Sequence, residues 1–140
     1  MPYKFEQLEV WKLALEYVNL IYTIAEKLPA FEEYNLKSQI VRAGTGIALN
    51  IAEGSTLRGG VPYGTESSQS DPEQARFLGI AIRSLIETVA CQHIIKQRGY
   101  LKDPTPLDEA YQFSEKLFAK LQAFRKNLQS DDGPKTADGD

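Results

Sequence analysis

The chain has 140 residues, is 42% hydrophobic and 25% charged, and carries a formal net charge of −3. That is enough for one domain with a single core and an ordinary globular composition. A disulfide-stapled scaffold is excluded by the single cysteine, Cys91, and a strongly basic nucleic-acid-binding surface is unsupported by the charge.

The acidity is local. Residues 131–140 hold four aspartates and one lysine, which leaves 15 acidic and 15 basic side chains in residues 1–130. No run of about 18 uncharged apolar residues occurs, so no membrane span is expected. The opening MPYKFEQLEVWKLA does not read as a signal peptide, and a reducing cytoplasm is the expected compartment.

Residues 1–5 read as a short arm. The first helix is expected over about 6–28: Leu8, Trp11, Leu15, Val18, Tyr22 and Ala25 recur at alternating spacings of three and four. Val10, Leu13, Ala14, Tyr17, Ile21 and Ile24 widen the apolar face beyond one seam, so one part is expected in the core and the surplus against another subunit. Pro29 stops the helix. The second helix is expected over about 34–53, on a row formed by Leu36, Ile40, Ala43, Ile47, Asn50 and Gly54. Gly44 and Gly46 lie inside it, each costing roughly 1 kcal/mol relative to alanine. Close approach of another backbone against Ala43, Gly44 and Gly46 would offset that cost. Gly54 is available as a left-handed cap.

Residues 55–71, rich in serine, threonine and glycine, read as a long loop, either mobile or functional. Asp71-Pro72-Glu73 suits a helix start, and a third helix is expected over about 72–97. One of its rows reads Leu78, Ala81, Leu85, Thr88, Gln92 and Ile95, and Gly99 ends it. The fourth helix, over about 107–128, has the cleanest seam: Leu107, Ala110, Ser114, Leu117, Leu121, Phe124 and Leu128. Residues 129–140 are expected to be a disordered acidic tail. The expected domain is therefore residues 1–128. It is all-α, an antiparallel up-down-up-down four-helix bundle.

Candidate sites follow from the same reading. Trp11, Ala43, Gly44, Gly46, Asn50 and Glu53 are candidates for packing or an interface. Asn50 and Glu53 either form a small polar surface or are satisfied within the fold, by a neighbouring helix, by Arg42 or Arg83, or by a backbone N–H. Arg42, Arg58, Arg76, Arg83 and Arg98 are candidates for phosphate contact, weighed against solvated charges and intramolecular ion pairs. His93, with Lys96 three residues on, resembles the phosphorylatable histidine of phosphotransfer domains, although Gln97 replaces the usual small residue. A structural or interface histidine is the alternative. Cys91 has no histidine on its own face to activate it and reads as an inert thiol. No carboxylate pair has acid–base spacing, no cofactor or metal motif is present, and no enzyme activity is expected.

Taken in order, LEVWKLA at Leu8–Ala14, Tyr34, Leu36, Gln39, Arg42-Ala43, NIAEG at Asn50–Gly54, FLGIA at Phe77–Ala81, Ser84-Leu85, Glu87 and GYL at Gly99–Leu101 resemble the four-helix-bundle family encoded in intervening sequences of bacterial 23S ribosomal RNA genes. This chain has Gly46 where that family commonly has serine, Ala48 where proline is frequent, and Arg83 where a glycine commonly precedes Ser84. The resemblance implies a small bundle that assembles into a ring, most simply a homopentamer. It also extends to accessory proteins of diversity-generating retroelements, which use a positively charged surface to engage a reverse transcriptase and nucleic acid. The balanced charge here does not reproduce that surface. The expected function is a non-enzymatic, self-associating scaffold or adaptor. The alternatives are an RNA- or ribonucleoprotein-associated accessory protein and a histidine phosphotransfer domain.

Overall fold

A computed structural model describes residues 3–59 and 70–132, with side chains for 3–55 and 72–129. Four helices follow in order: α1 Glu9–Ala25, α2 Leu36–Gly59, α3 Ser70–Arg98 and α4 Thr105–Asp132. Short 3-10 turns at Lys4–Gln7 and Ala30–Glu32 precede α1 and α2. No strand occurs among the described residues. The closely packed pairs are α1–α2, α2–α3, α3–α4 and α4–α1, so α1 and α3 face each other diagonally across the core. This is the expected antiparallel four-helix bundle.

The helix boundaries differ from the periodic expectation in instructive ways. Helix α1 starts at Glu9 because Leu8 is extended, at φ −71° and ψ 135°. The arm before it folds back, with Phe5 edge-on to Trp11 at 4.7 Å between ring centroids. Helix α2 does not end at Glu53. It runs through Gly59, and Gly54 is an interior helical residue, not a left-handed cap. What remains of the expected loop 55–71, residues 60–69, lies outside the described residues. Helix α3 begins at Ser70, and Pro72 is accommodated in its first turn, where backbone N–H groups lack intrahelical acceptors anyway. The left-handed terminator is Gly99, at φ +67°. Gly99 N–H donates to Lys96 O and Tyr100 N–H to Ile95 O, the paired bonds of a Schellman end. Helix α4 starts two residues earlier than expected because Asp103 Oδ1 accepts from both Thr105 N–H and Thr105 Oγ1, at 3.0 and 2.8 Å. It also continues past Leu128 to Asp132, and residues 133–140 of the expected tail lie outside the described residues.

The core is one apolar cluster drawn from all four helices, including Tyr17, Ile21, Ile40, Ile47, Ile51, Leu78, Leu85, Ile95, Leu117 and Leu121. By length and composition alone Pro72–Arg98 passes for a membrane span, yet much of its apolar surface is core.

The glycines of α2 do what their cost requires. Gly44 lies against α1: a Cβ there would sit 3.2 Å from Ile21 Cγ2. Gly46 and Gly54 lie against α3, where a Cβ would sit 3.3 Å from Ser84 Oγ and 2.8 Å from Phe77 Cβ respectively. The last distance is below any real carbon–carbon contact, and the opposing atom is fixed to the α3 backbone. Gly54→Ala should therefore destabilise by about 1–3 kcal/mol through overpacking, despite a gain of about 1 kcal/mol in helix propensity. Gly79 makes the control. The atoms nearest a Cβ there belong to the guanidinium end of Arg125 at 3.2 Å, a flexible side chain whose Nε–H donates to Ala75 O at 3.2 Å, so Gly79→Ala should cost at most that bond and less than Gly54→Ala. Urea denaturation of both variants checks the contrast, and an equal response would refute the close-approach argument. Gly44→Leu should lower the melting temperature more than leucine placed at exposed helix positions.

Candidate interaction site

The residues singled out from the sequence fall in three kinds of place. Ala43 and Gly44 are buried, and Gly46 is partly buried against α3. Trp11 is partly buried beside Phe5. These positions pack within one chain. Asn50 turns back on its own helix, its Nδ2 donating to Gly46 O at 2.7 Å. Glu53 is exposed, and its charge is felt by Arg76.

Two of the five arginines lie far apart. Arg76 and Arg98 are 22 positions apart on α3, about 33 Å at the helical rise. Arg76 is paired with Glu73 Oε2 at 2.7 Å and lies 4.6 Å over the Phe77 ring. Hydrogen bonding and charge from Glu73 raise its pKa. Arg98 lies 5.8 Å over the Tyr100 ring and donates weakly to its hydroxyl at 3.4 Å. Arg42 and Arg83 are exposed on α2 and α3. The backbone of Arg58 continues α2, and its side chain lies outside the described residues.

His93 is exposed on α3, with its ring edge-on to Tyr111 of α4 at 6.1 Å. Cys91 is buried, and burial pushes its thiol pKa up, with the Glu87 charge adding to the effect. No group of three potential metal-ligating side chains occurs among the described residues.

Three features were missed from sequence. The first is a polar chain across the core. Thr88 Oγ1 donates to Leu85 O at 2.6 Å, so its hydrogen is committed. Tyr17 OH, 2.7 Å away, must then donate to Thr88. Tyr17 in turn accepts from Gln92 Nε2 at 2.7 Å. Burial pushes the Tyr17 phenol up to about 12, keeping it a neutral donor. The sequence of donors fixes the Gln92 amide orientation and leaves its Oε1 buried with no partner among the described residues. An acceptor left so costs about 1–3 kcal/mol. Thr88 and Gln92 were visible as polar members of an apolar row, but their partner on α1 was not.

The second is Glu32, 9% exposed, which ties three segments together. Its Oε1 accepts from Leu36 N–H at 3.2 Å and Asn35 Nδ2 at 3.1 Å, capping α2. Its Oε2 accepts from Tyr100 OH at 2.8 Å, in the α3–α4 connection. The Tyr100 bond, then the Leu36 and Asn35 bonds and the Arg98 charge, hold its carboxyl pKa below the ordinary 4.5.

The third, of which the sequence showed only the apolar surplus on α1, is a pair of exposed apolar strips on opposite sides of the bundle. On the α1–α2 side, Leu15 is 43% and Tyr22 41% exposed, two turns apart on one face. Tyr22 shares a groove with Tyr34, Val41 and Thr45 that Glu26, Glu33, Lys37 and Arg42 also line, and Leu49, 62% exposed, follows one turn beyond Thr45. On the α3–α4 side, Ile86, Val89, Tyr111 and Phe118 line a groove, with Ile86 53% exposed.

The fold and these surfaces define a small helical-bundle protein whose distinctive exposed features are apolar strips. The chain belongs to the 23S rRNA-intervening sequence protein family, whose model matches residues 6–123. No curated protein matches the chain.

Because the Glu32 pKa is lowered on folding, its contribution is complete above the unfolded value of about 4.5 and is lost as pH falls through the folded value. Wild type should therefore lose melting temperature more steeply than Glu32→Gln below about pH 4.5, and thermal melts from pH 3 to 7 check this. Parallel acid limbs would show that the Glu32 bonds contribute nothing.

Proposed function

We propose that the protein is a non-enzymatic cytoplasmic scaffold or adaptor that self-associates, most simply as a homopentamer. The observation that carries this reading is the pair of unlike apolar strips on opposite sides of one bundle. Intramolecular packing already buries the core, so these strips are surplus apolar surface. A contact joining the α1–α2 strip of one copy to the α3–α4 strip of the next is heterologous, and repetition of such a contact gives a closed ring when the rotation permits. The family resemblance supplies the number five.

Sedimentation and native mass should give about five times the 15.7 kDa chain mass, and a strict monomer at micromolar concentration would overturn the proposal. Leu15→Lys and Ile86→Lys change exposed positions on different strips, so each should dissociate the assembly without loss of helicity. Mixing them is the sharper test. Each retains the strip that the other has lost, so an equimolar mixture should form heterodimers, whereas a contact of like with like would restore nothing.

An RNA- or ribonucleoprotein-associated role is the second reading, favoured by exposed Arg42 and Arg83 on adjacent helices. It predicts salt-dependent RNA binding, and none at about 50 mM salt would count against it. Histidine phosphotransfer ranks below both, and would require phosphate incorporation that is lost in His93→Gln.

A further inference from the structure

The two strips differ in charge as well as in outline. In the α3–α4 groove, Glu115 is the one charged side chain in the lining, and it makes no ion pair among the described residues. A surface that covered this groove with apolar groups alone would take a carboxylate out of water with nothing to receive it. Whatever seats there must bring a cation. The α1–α2 groove carries one. Of its charged side chains, Lys37 is held by Glu33 at 3.2 Å, which leaves Glu26 and Arg42 without an ion pair among the described residues. Arg42 is exposed in the same groove as Tyr22 and Val41, and its guanidinium offers the fork that a carboxylate accepts in bidentate form.

The remaining acid bears on direction. Glu26 caps the C-terminal end of α1, at the end of the bundle where α2 begins and α3 finishes. Counted from that end, the α1–α2 strip presents Glu26 and then Arg42. On the other side, counted from the same end, Lys96 comes first, exposed in the last turn of α3, and Glu115 follows beyond Tyr111. Acid then base on one strip thus matches base then acid on the other. Copies turned about an axis along the bundle stand parallel, and this order then brings opposite charges together twice. Antiparallel copies that kept Arg42 on Glu115 would turn Glu26 toward Phe118 and away from Lys96. We propose that Arg42 of one copy pairs with Glu115 of the next, and that Glu26 of the first faces Lys96 of the second, so that neighbouring bundles stand parallel. This rests on the self-association proposed above and adds the charge pairs that select the partner strip and its direction.

All four positions are exposed, so charge reversal there should leave helicity intact, which circular dichroism checks. The full chain is followed by sedimentation velocity. Arg42→Glu and Glu115→Arg should each weaken association about tenfold or more, because each sets like charges against one another. Both reversals in one chain should return the affinity to within about threefold of wild type, the mark of two side chains in contact. Glu26→Lys and Lys96→Glu should behave in the same way. A wild-type chain that stays monomeric overturns self-association and this pairing together. If wild type assembles but either Arg42→Glu or Glu115→Arg leaves association unchanged, or the double reversal regains nothing, the pairing is overturned and the scaffold reading stands. Coupling between positions 42 and 115 with none between 26 and 96 would overturn the parallel direction.

Discussion

The contact between α2 and α3 is the constraint on which the rest of the bundle depends. At Gly54 the two helices approach so closely that a β-carbon would sit 2.8 Å from that of Phe77. Gly46 repeats the approach at Ser84 two turns away. With both helices drawn together along one edge, α2 cannot stop at Gly54 without abandoning that contact, so it continues as helix to Gly59. Gly44, on another side of the same helix, receives Ile21 and thereby seats α1. One helix with three glycines at different angular positions thus accepts two neighbours. The propensity cost of those glycines is the condition for that packing.

Apolar packing alone would leave the longitudinal position of α1 weakly defined, because rows of isoleucine and leucine tolerate sliding. The diagonal chain from Gln92 through Tyr17 and Thr88 to Leu85 O removes that freedom. A shift of one turn would strand a buried phenol, a hydroxyl and an amide, each costly without a partner. At one end of the bundle Glu32 plays the corresponding role for the connections. It caps α2 and receives the Tyr100 hydroxyl, so the α1–α2 and α3–α4 links are held to each other. Both devices join residues about 70 positions apart in the chain.

That separation explains what the sequence made legible. Helix number and order follow from periodicity, but the α1 seam does not: Val10, Leu13, Ala14, Tyr17, Ile21 and Ile24 form the buried face, while Leu15 and Tyr22 of the expected seam are exposed. Gly99 acts as the terminator its context suggests, since nothing packs within 4 Å of its missing side chain. Gly54 stands in a similar local setting, before serine and threonine, yet it is helical because Phe77 needs the space. No local rule distinguishes the two; only the neighbouring helix does. The same limit applies to the site residues. Gly44 and Gly46 were recognisable as close-approach positions, but the residues approaching them were not. The five arginines read as a possible patch because sequence gives no distance between helices. Nothing in the local sequence singles out Glu32, and Gln92 shows only as one polar member of the α3 row. Each acquires its role from a partner that spacing cannot reveal.

The exposed strips and the charge distribution bear on each other. Residues 1–130 carry equal numbers of acidic and basic side chains, and the excess aspartates lie at 131–140. Copies of a strongly charged bundle would repel one another on close approach, whereas a balanced one can bring apolar strips together without that cost. A net charge displaced to the end of the chain would keep the proposed assembly soluble while leaving the contacting faces neutral. The unlike character of the strips then decides the geometry. A single self-complementary strip would be exhausted in a dimer, but two different strips on opposite sides leave every pairwise contact with one unused strip at each end. Under the proposed self-association, addition would continue as an open filament or, where the rotation permits, close into a ring. In the proposed assembly a closed ring would hide both strips of every copy from water, whereas an open filament would leave one exposed at each end.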